Sequence, residues 1–544
     1  MDEFRNEFAR HTFENKYRLY EGETWAQRAA AIVQHVCGPL SPSDRRLMSQ
    51  GEMDQLTRYI TEFKFLPGGR YIYYAGRKAR FYNNCYLLRS EEDTREDWAD
   101  TAQKSTSCLM TGGGIGNDYS ILRPAGRRLS RTGGVSSGPI PLMHMVNEIG
   151  RNVMQGGSRR SAIYASLNWQ HEDVNAFLNV KNWDSRIKEI KETDFNFPAP
   201  LDMTNISLNY DDAFLSYDGM PNTFLANVKQ ALQTGEPGFS FNFGEKQNET
   251  LRNACTEVTS EDDSDVCNLG SVNISRIESI EEFREVVSLA SKFLVCGTLR
   301  ADLPYGKVYE VRERNRRLGL GLMGIHEWLL RRGYEYTVNS ELHEWLKVYA
   351  GESERSANEH CDRLYLSRPK AYRAIAPTGT IGILAGTTTG IEPLYAVAFK
   401  RRYLTDGTRW KYEFVVDSTA QYLIDELGVD PEGIETALSL SANPEQRIAF
   451  QADVQDYVDM AISSTINLPS WGSKHNNEDG VDGFASILRR YAPRLRGFTC
   501  YPDGSRGGQP LTPVEYDKAI NHRGVVFEEM DVCDLTGHGG SCGV

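Results

Sequence analysis

The sequence predicts an α/β protein with substantial parallel strand pairing, preceded by a short helical region. From about residue 80, short strand-like runs alternate with helical patterns. Several glycine-rich or polar turns directly follow such runs, at the place where α/β folds usually bind ligands. The chain has 544 residues, of which 40% are hydrophobic and 25% are charged, as in ordinary globular proteins.

The first 75 residues show helical patterns. Among them, TWAQRAAAIVQHVCG is amphipathic and ends in a glycine, which is typical of a helix and its C-terminal cap. The strand-like runs that follow include NNCYLL, SAIYASLNW, GFSFNF and RAIAPTGTIGILAG. The glycine-rich end, DVCDLTGHGGSCGV, predicts a flexible tail. We therefore expect a helical region at 1–75, an α/β region at 76–525 and a tail at 526–544.

The charge balance excludes some classes of partner. With 61 basic and 74 acidic residues, the net charge is −13, which disfavours direct binding along nucleic acid. No run of 18 apolar residues is present, so no membrane span is expected. The start of the chain is charged and aromatic, without the apolar core of a signal peptide. We expect a cytoplasmic protein.

One helix is well marked by SSGPIPLMHMVNEIGRNVMQGG, residues 136–157. Ser137 is the expected N-cap, and glycines end the pattern. The expected apolar stripe consists of Leu142, Met145, Val146, Ile149 and Val153. This stripe fits packing either against the protein's own core or against a partner subunit, and the pattern leaves both open.

Ten cysteines are too few for a disulfide scaffold in a chain of this length. Four of them lie in helical patterns and are expected to be buried apolar residues: Cys37, Cys108, Cys296 and Cys361. Five others lie beside glycine, asparagine or acidic residues and call for a chemical explanation: Cys85, Cys255, Cys267, Cys533 and Cys542.

The stretch LRNACTEVTSEDDSDVCNLGSVNIS places an amide, a thiol and a carboxylate on alternate residues, Asn253, Cys255 and Glu257. If residues 253–257 are extended, these three side chains point to the same face. They would then offer a hydrogen-bonding amide, a sulfur able to act as nucleophile or radical, and a proton acceptor. A three-residue pattern can also arise by accident, so it needs support from elsewhere in the chain.

That support comes from further motifs. NNCYLL (83–88) and VCNLGSVNIS (266–275) each place a cysteine beside asparagine in a strand-like run, and LMTGGGIGNDYSILRPAG (109–126) contains a glycine turn. In APTGTIGILAGTTTGIEP (376–393), a polar turn follows a strand-like run. Backbone N–H groups and hydroxyls of this turn could hold a phosphate at a helix start.

These stretches, in this order, resemble the catalytic subunit of ribonucleotide reductases from about Pro67 to Gly508. TGGVSSGP, QGGSRRSA and RNRRLGLGLMGIHEWL add to the resemblance. The resemblance implies a ten-stranded α/β barrel with a central finger loop that carries a cysteine. It also implies conversion of ribonucleotides to 2′-deoxyribonucleotides, by an oxidoreductase that acts on ribonucleoside di- or triphosphates.

The resemblance implies a role for each residue of the catalytic set. Cys255 would be the transient thiyl radical that removes the 3′-hydrogen, and Glu257 would take the proton of the 3′-hydroxyl. Asn253 would orient that region by hydrogen bonding. Cys85 and Cys267 would supply the reducing equivalents and become a disulfide, although the sequence leaves their proximity open.

The resemblance further implies substrate-binding residues at Asn84, Gly114, Pro377, Thr378, Gly379, Thr380 and Ile381. Cys533 and Cys542 resemble the family's shuttle pair, which re-reduces the buried disulfide and is recharged by a thioredoxin- or glutaredoxin-like donor. A zinc site at Cys533, His538 and Cys542 is the rival interpretation. It would have three ligands where structural zinc usually has four, so no metal site is predicted.

The family divides by radical source. A glycyl-radical type would carry an RVxGY-like element near the C-terminus, which this sequence lacks. The subunit-dependent type passes a radical through two adjacent tyrosines. In LRGFTCYPDGSRGG the tyrosine pair is broken, which leaves Tyr501 as a candidate on a radical route. YPDGSRGGQPL is closer to the adenosylcobalamin-dependent type. We therefore predict adenosylcobalamin as cofactor, with a separate metal-containing radical-generating subunit as the alternative.

Two loops, RTGGVSSGP and QGGSRRSA, resemble those that relay effector identity to the substrate base. Residues 117–131 alone separate the GGGIG turn from the TGG loop, where monomeric cobalamin enzymes have a long insertion. The helix at 139–154 is then left to pack on a second copy. The resemblance predicts a homodimer with a deoxynucleoside triphosphate or ATP as allosteric effector. The expected effector-binding residues are Asp118, Arg123, Ser158 and Arg159.

Overall fold

The computed structural model describes residues 3–41, 43–153, 161–193, 197–405, 409–505, 511–522 and 526–527. Its centre is a barrel built from two sets of parallel strands. The strands of the first set pair in parallel, each with its neighbour in the chain: Cys85–Arg89, Gly114–Asp118, Ile163–Asn168, Thr204–Tyr210 and Gly238–Phe241.

The second set runs antiparallel to the first at both junctions. Its strands are Asp265–Asn273, Leu318–Met323, Thr465–Leu468 and Gly497–Pro502. The extended segment 371–376 completes the circuit, because the parallel bridges Leu320–Arg373 and Ile375–Ile462 join its two neighbours. The strand Phe65–Pro67 pairs antiparallel with residues 270–272 of Asp265–Asn273.

Most residues of the barrel strands are buried, as expected for a parallel sheet that is covered by helices. Every residue of Asp265–Asn273 and of Leu318–Met323 is buried. The longer helices are Trp25–Cys37, Gln50–Thr61, Arg95–Met110, Ile140–Asn152, Asn222–Thr234, Ile280–Arg300, Gly306–Asn315, Ser340–Leu364, Ser418–Leu427, Pro444–Gln455 and Val481–Tyr491. Shorter helices are Glu7–Thr12, Gly69–Tyr74, Val174–Asn179, Ser185–Thr193, Asp212–Leu215, Ile325–Arg331, Gly379–Ala385, Ala437–Leu440 and Tyr516–Asn521.

The N-terminal helices form as their local sequence dictates. Thr24 and Gln27 make a capping box at the start of Trp25–Cys37, and Gly38 is its C-cap. Trp25 stacks on Phe63, with ring centroids 5.2 Å apart, and Phe4 and Phe13 pack against the same indole ring. This aromatic cluster fixes the chain's first residues against the helical region.

A small antiparallel sheet stands apart from the barrel and pairs Ala398–Thr405 with Arg409–Val416, flanked by Leu511–Pro513 and Val526–Phe527. Among the described residues, no helix combines the length and the apolar character that crossing a membrane requires. The predicted fold class, an α/β barrel with a central finger loop, is confirmed.

The finger loop connects the two sets of strands. Leu251–Arg252 pairs antiparallel with Thr259–Ser260, so residues 253–258 form the tip of a short hairpin inside the barrel. Gly116 allows this close approach, because an added Cβ there would lie 1.8 Å from the carbonyl oxygen of Arg252. The buried guanidinium of Arg252 donates to Asn242 Oδ1 at 2.6 Å and to the carbonyl of Arg496 at 3.1 Å.

The expectation of an extended backbone at 253–257 is wrong. The Thr256 N–H donates to the Asn253 carbonyl at 3.0 Å and closes a turn, and Thr256 has a φ of 71°. All three side chains nevertheless line one cavity, Asn253 and Glu257 from the buried flanks of the turn and Cys255 from its exposed tip. A hairpin reverses direction at its tip, so strict alternation cannot continue through it.

Candidate active site

Cys85 and Cys267 lie directly opposite each other on antiparallel strands. Opposite residues of such a pair have Cα atoms about 4.5–5.5 Å apart and side chains on the same face. Disulfides span Cα separations of about 4.4–6.8 Å, so this register permits a disulfide without movement of the backbone. Both cysteines are buried free thiols in the structure.

Asn253 and Glu257 of the finger loop meet the first of these thiols. Asn253 Nδ2 donates to Cys85 Sγ at 2.9 Å, and the Cys85 thiol lies 4.0 Å from Glu257 Oε1. Asn253 Oδ1 accepts from the Val258 N–H at 2.9 Å, and the Ala461 N–H donates to the Glu257 carbonyl at 2.9 Å. These contacts hold the Asn253 side chain and the Glu257 backbone in place.

Burial controls the protonation of this cluster. Burial raises the pKa of Glu257 to about 7, although the Asn253 amide works in the opposite direction. Within the described part of the chain, Glu257 Oε2 is buried and accepts no hydrogen bond. Burial also raises the pKa values of Cys85 and Cys267 well above the ordinary range. The Glu257 carboxylate adds to this effect at Cys85, and the carboxylates of Asp265 and Glu257 add to it at Cys267. The thiol pair therefore stays protonated at neutral pH.

Cys85, Asn253, Cys255 and Glu257 line one cavity of about 470 Å³, and Cys267 lies opposite Cys85 in the barrel wall. A volume of this size is typical of small-molecule sites. Every residue expected to bind substrate lines the same cavity: Asn84, Gly114, Pro377, Thr378, Gly379, Thr380 and Ile381. Within the described structure, the buried Asn84 Oδ1 makes no hydrogen bond, which leaves an acceptor for a ligand beside the cavity.

The turn at 377–381 is shaped by Thr378, whose φ is 47°. Its carbonyl accepts from the Gly382 N–H at 2.7 Å, and its hydroxyl accepts from the Gly390 N–H at 2.8 Å. The helix Gly379–Ala385 starts directly after this residue. The run RAIAPTGTIGILAG is therefore a barrel segment as far as residue 376 and a helix from Gly379, rather than one strand.

The site also contains residues that the sequence reasoning missed. Asn15, Lys16 and Tyr17 of the N-terminal helical region line the cavity, as do Arg70 and Tyr74. Lys16 Nζ donates to Thr380 Oγ1 at 3.1 Å. Asn15, Lys16 and Tyr17 lie far from the motifs in the sequence, and no local pattern marks any of the five residues as part of a site.

The expected effector residues are only partly described. Asp118 is buried and accepts from the Ser120 hydroxyl at 2.5 Å and from Thr250 Oγ1 at 2.6 Å. Arg123 forms an ion pair with Asp93 at 2.5 Å. Ser158 and Arg159 lie outside the described residues. An effector role for these residues stays a prediction.

The helix expected at 139–154 spans Ile140–Asn152, and Pro139 rather than Ser137 is its N-cap residue. The expected single stripe is wrong. The inner, buried face of the helix consists of Leu142, Met143, Val146, Asn147 and Gly150. Met145 is 48% exposed and, with Ile149 and Val153, lines an outer groove beside the helix Arg95–Met110. The helix thus carries one apolar face inward and a second one outward.

Of the remaining expected site residues, Tyr501 is the one within the described residues. Tyr501 is a half-buried residue on the barrel strand Gly497–Pro502. Cys533 and Cys542 lie outside the described residues, as does the rival zinc ligand His538. In the part of the chain that the structure describes, no three His, Cys, Asp or Glu side chains are grouped to hold a metal ion. The four cysteines expected to be buried in helices, Cys37, Cys108, Cys296 and Cys361, are confirmed as such.

The fold and the site together define a barrel protein in which a cysteine-tipped finger faces a cavity beside a thiol pair. The family profile described as "Ribonucleotide reductase, barrel domain" matches residues 83–231, 224–349 and 367–489. The chain belongs to the ribonucleotide reductase family, and the predicted family, activity and enzyme class are confirmed.

Individual proteins similar to this chain are named as members of the same family. The chain is 27% identical over 527 residues to a "Vitamin B12-dependent ribonucleoside-diphosphate reductase" of Mycobacterium tuberculosis, and the match covers 84% of this chain and 73% of the relative. It is 25% identical over 674 residues to a "Putative adenosylcobalamin-dependent ribonucleoside-triphosphate reductase" of Mycobacterium phage D29, covering 91% and 93%. A "Ribonucleoside-diphosphate reductase subunit alpha" of Chlamydia pneumoniae is 24% identical, covering 68% and 45%.

Two solved structures share the fold. A B12-dependent (class II) ribonucleotide reductase superposes with a TM-score of 0.70 and 16% identity, over 94% of this chain and 93% of that chain. The class Id ribonucleotide reductase alpha subunit of Actinobacillus ureae superposes with the same TM-score and identity, over 92% and 97%. The fold is therefore common to a B12-dependent reductase and to a class Id alpha subunit.

Proposed function

We propose that Cys255 starts thiyl-radical reduction of a ribonucleotide held in the 470 Å³ cavity, and that Cys85 and Cys267 supply the electrons. The observation that carries this proposal is the direct pairing of Cys85 with Cys267 beneath a finger that presents Cys255 and Glu257 to the same cavity. The ribose lies between the finger and the thiol pair. The phosphates lie at the turn 377–381.

The chemistry balances within this set of residues. The Cys255 thiyl radical takes the 3′-hydrogen atom, and the Glu257 carboxylate takes the 3′-hydroxyl proton. The 2′-hydroxyl leaves as water after it receives a proton from the thiol pair. The hydrogen of the second thiol goes to the 2′-carbon, so two S–H bonds break and one S–S bond forms between Cys85 and Cys267. Glu257 then returns its proton to the 3′-oxygen, and Cys255 returns its hydrogen atom to the 3′-carbon. Asn253 fixes the geometry of Cys85 through its 2.9 Å hydrogen bond.

The protonation states support these roles. The pKa of Glu257, about 7, allows it to gain and lose a proton near neutral pH, as general acid–base catalysis requires. Burial keeps the thiols of Cys85 and Cys267 protonated, so each can deliver hydrogen rather than react as a thiolate.

For the radical source we propose adenosylcobalamin, on the names of the relatives that match most of this chain. When bound, this cofactor supplies the hydrogen-atom acceptor that converts the Cys255 thiol to a radical. The site fits such a group, because Cys255 is exposed at the finger tip while Cys85 and Cys267 are buried. The alternative is a separate radical-generating subunit. Because the fold is shared with a class Id alpha subunit, the experiment below also tests this alternative.

The test is turnover of the purified chain with a ribonucleotide and dithiothreitol, with and without adenosylcobalamin. Both CDP and CTP are offered, because the proposal covers di- and triphosphates. We expect deoxynucleotide only when the cofactor is present, and none from the variant Cys255→Ser. Activity without the cofactor, or only after addition of a metal-containing partner protein, contradicts the choice of radical source.

We propose further that two copies pair through the outer face of Ile140–Asn152, with a nucleotide effector at the interface. The exposed side chains of Met110 and Met145 and the groove lined by Ile149 and Val153 support this, because exposed apolar patches mark interaction surfaces. The variant Met145→Glu should sediment as a monomer under conditions in which the wild type is a dimer. A wild type that stays monomeric with and without dATP contradicts the pairing.

Re-reduction of the thiol pair is assigned to Cys533 and Cys542, recharged by a thioredoxin-like protein. The variant Cys542→Ser should keep its activity with dithiothreitol, which reaches the cavity directly, but lose it with thioredoxin. Equal loss with both reductants contradicts the shuttle role. Cytoplasmic location stays a prediction.

A further inference from the structure

The first residues of the chain form part of the cavity. The helix Glu7–Thr12 runs directly into a π-helical turn, Phe13–Tyr17, and Asn15, Lys16 and Tyr17 line the cavity. A π-turn changes the direction of side chains relative to a regular helix and is often found at functional sites. Here it turns residues of the N-terminal region toward the residues expected to hold the substrate.

This N-terminal segment, residues 3–18, is fixed on both sides of Lys16. On one side, Arg5 donates to Glu327 Oε1 at 2.9 Å and to the carbonyl of Gly386 at 2.6 Å, which ties the segment to the end of the helix Gly379–Ala385. On the other side, the buried Tyr17 lies so close to Gly69 that an added Cβ there would be 2.7 Å from the tyrosine hydroxyl. The backbone that carries Lys16 is therefore well positioned.

The Lys16 ammonium lies at the phosphate end of the cavity. It donates to Thr380 Oγ1 at 3.1 Å, and its side chain is exposed to solvent. The other cationic residue of the described lining, Arg70, directs its guanidinium to the backbone carbonyls of Phe81, Gly112 and Thr111. Lys16 thus places a positive charge beside the turn 377–381.

The charges along the cavity match the polarity of a nucleotide. Glu257 lies at the end beside the thiol pair, where the proposed chemistry places the ribose hydroxyls. Lys16 lies beside Thr380. A ribonucleotide placed with its sugar at Glu257 therefore directs its phosphates toward a lysine, and lysine ammonium groups are effective point charges for phosphate.

We propose that Lys16 binds the phosphate chain of the ribonucleotide and so positions the ribose over Cys255. This inference rests on the proposed function and deepens it, because it makes the N-terminal segment part of the substrate site. In the bound state a phosphate oxygen takes the place of Thr380 Oγ1 as an acceptor for the ammonium, and Thr380 is released to donate its hydroxyl to the same phosphate.

The test compares Lys16→Gln, which removes the charge, with Lys16→Arg, which keeps it. Lys347→Gln is the matched control, because Lys347 is an exposed lysine on the outer helix Ser340–Leu364. Binding of radiolabelled CDP and CTP is measured by equilibrium dialysis, with cytidine as a probe without phosphate and inorganic pyrophosphate as a competitor. Steady-state KM and kcat are measured on the same variants.

Loss of a charge-assisted contact should weaken nucleotide binding and raise KM by about tenfold in Lys16→Gln. Cytidine binding should change by less than about twofold, because cytidine carries no phosphate, and KM should rise by a larger factor than kcat falls. Lys16→Arg should restore most of the nucleotide affinity. Pyrophosphate should compete less well with Lys16→Gln than with the wild type.

Equal nucleotide affinity in the wild type and Lys16→Gln overturns the assignment. Equal loss of cytidine and nucleotide binding also overturns it, because that result indicates a structural role. A wild type that binds ribonucleotide but never reduces it contradicts the proposed function and leaves the Lys16 comparison intact. The two failures are therefore distinguishable.

Discussion

Glu257 gives a quantitative prediction, because a buried carboxyl group with a raised pKa makes stability depend on pH. Its Oε2 atom accepts no hydrogen bond from the described residues, and burial raises the pKa from 4.5 to about 7. The substitution Glu257→Gln keeps the shape of the side chain and removes its titration. The comparison therefore isolates the free energy of ionising this one group inside the folded protein.

The sign follows from which state holds the proton more tightly. Between pH 4.5 and about 7 the folded protein keeps Glu257 protonated while the unfolded chain releases the proton. The free energy of unfolding of the wild type therefore falls as the pH rises through this window, and it levels off above pH 7. At roughly 1.4 kcal/mol for each pKa unit, the rise of the Glu257 pKa from 4.5 to about 7 corresponds to about 3 kcal/mol of unfolding free energy.

The assay is urea unfolding at pH 5 and pH 8 under reducing conditions, followed by tryptophan fluorescence. We expect the stability of Glu257→Gln relative to the wild type to increase by about 2–3 kcal/mol between the two pH values. Glu344→Gln is the control, because Glu344 is 62% exposed and should show a change close to zero. Parallel pH dependence in the wild type and Glu257→Gln would refute the argument that burial controls this carboxyl group.

Three further predictions concern the same site. The kcat of the wild type should decline below about pH 7, because the carboxylate form of Glu257 takes the proton, and a profile flat from pH 5 to 8 would contradict this role. Iodoacetamide at pH 7.5 should label exposed Cys255 much faster than buried Cys85 and Cys267, as read by peptide mass spectrometry, and equal rates would refute the burial argument. Gly116→Ala should lower stability by about 1–3 kcal/mol and reduce turnover, because the new Cβ meets the finger backbone, whereas unchanged unfolding and activity would show that the finger is not held there.

The sequence was sufficient for the barrel and for its cysteines because both depend on local patterns. A cysteine beside asparagine in each of two strand-like runs indicated Cys85 and Cys267, and the motifs around them gave the family. Their pairing could not be predicted from the sequence, because they are 182 positions apart in the chain and only the register of the closed barrel brings them together.

Other parts of the site depend on tertiary contacts without a local signature. The alternation at Asn253 and Glu257 suggested a strand, but packing against Gly116 places these residues on a hairpin turn. Lys16 has no motif around it, and its place in the cavity follows from the contact of Arg5 with Glu327. The sequence pattern of Ile140–Asn152 predicted one apolar stripe, because apolar residues on two different faces of the helix could not be told apart without knowing what packs against each face.

The central claim is that Cys85 and Cys267 supply the two electrons of each reduction. The most direct measurement is a single round of reaction without external reductant, starting from Cys533→Ser/Cys542→Ser protein that is fully reduced and supplied with ribonucleotide and adenosylcobalamin. Quenched samples are alkylated, digested and analysed by mass spectrometry. We predict one Cys85–Cys267 disulfide for each deoxynucleotide formed, and deoxynucleotide formed while both thiols remain reduced would contradict the account.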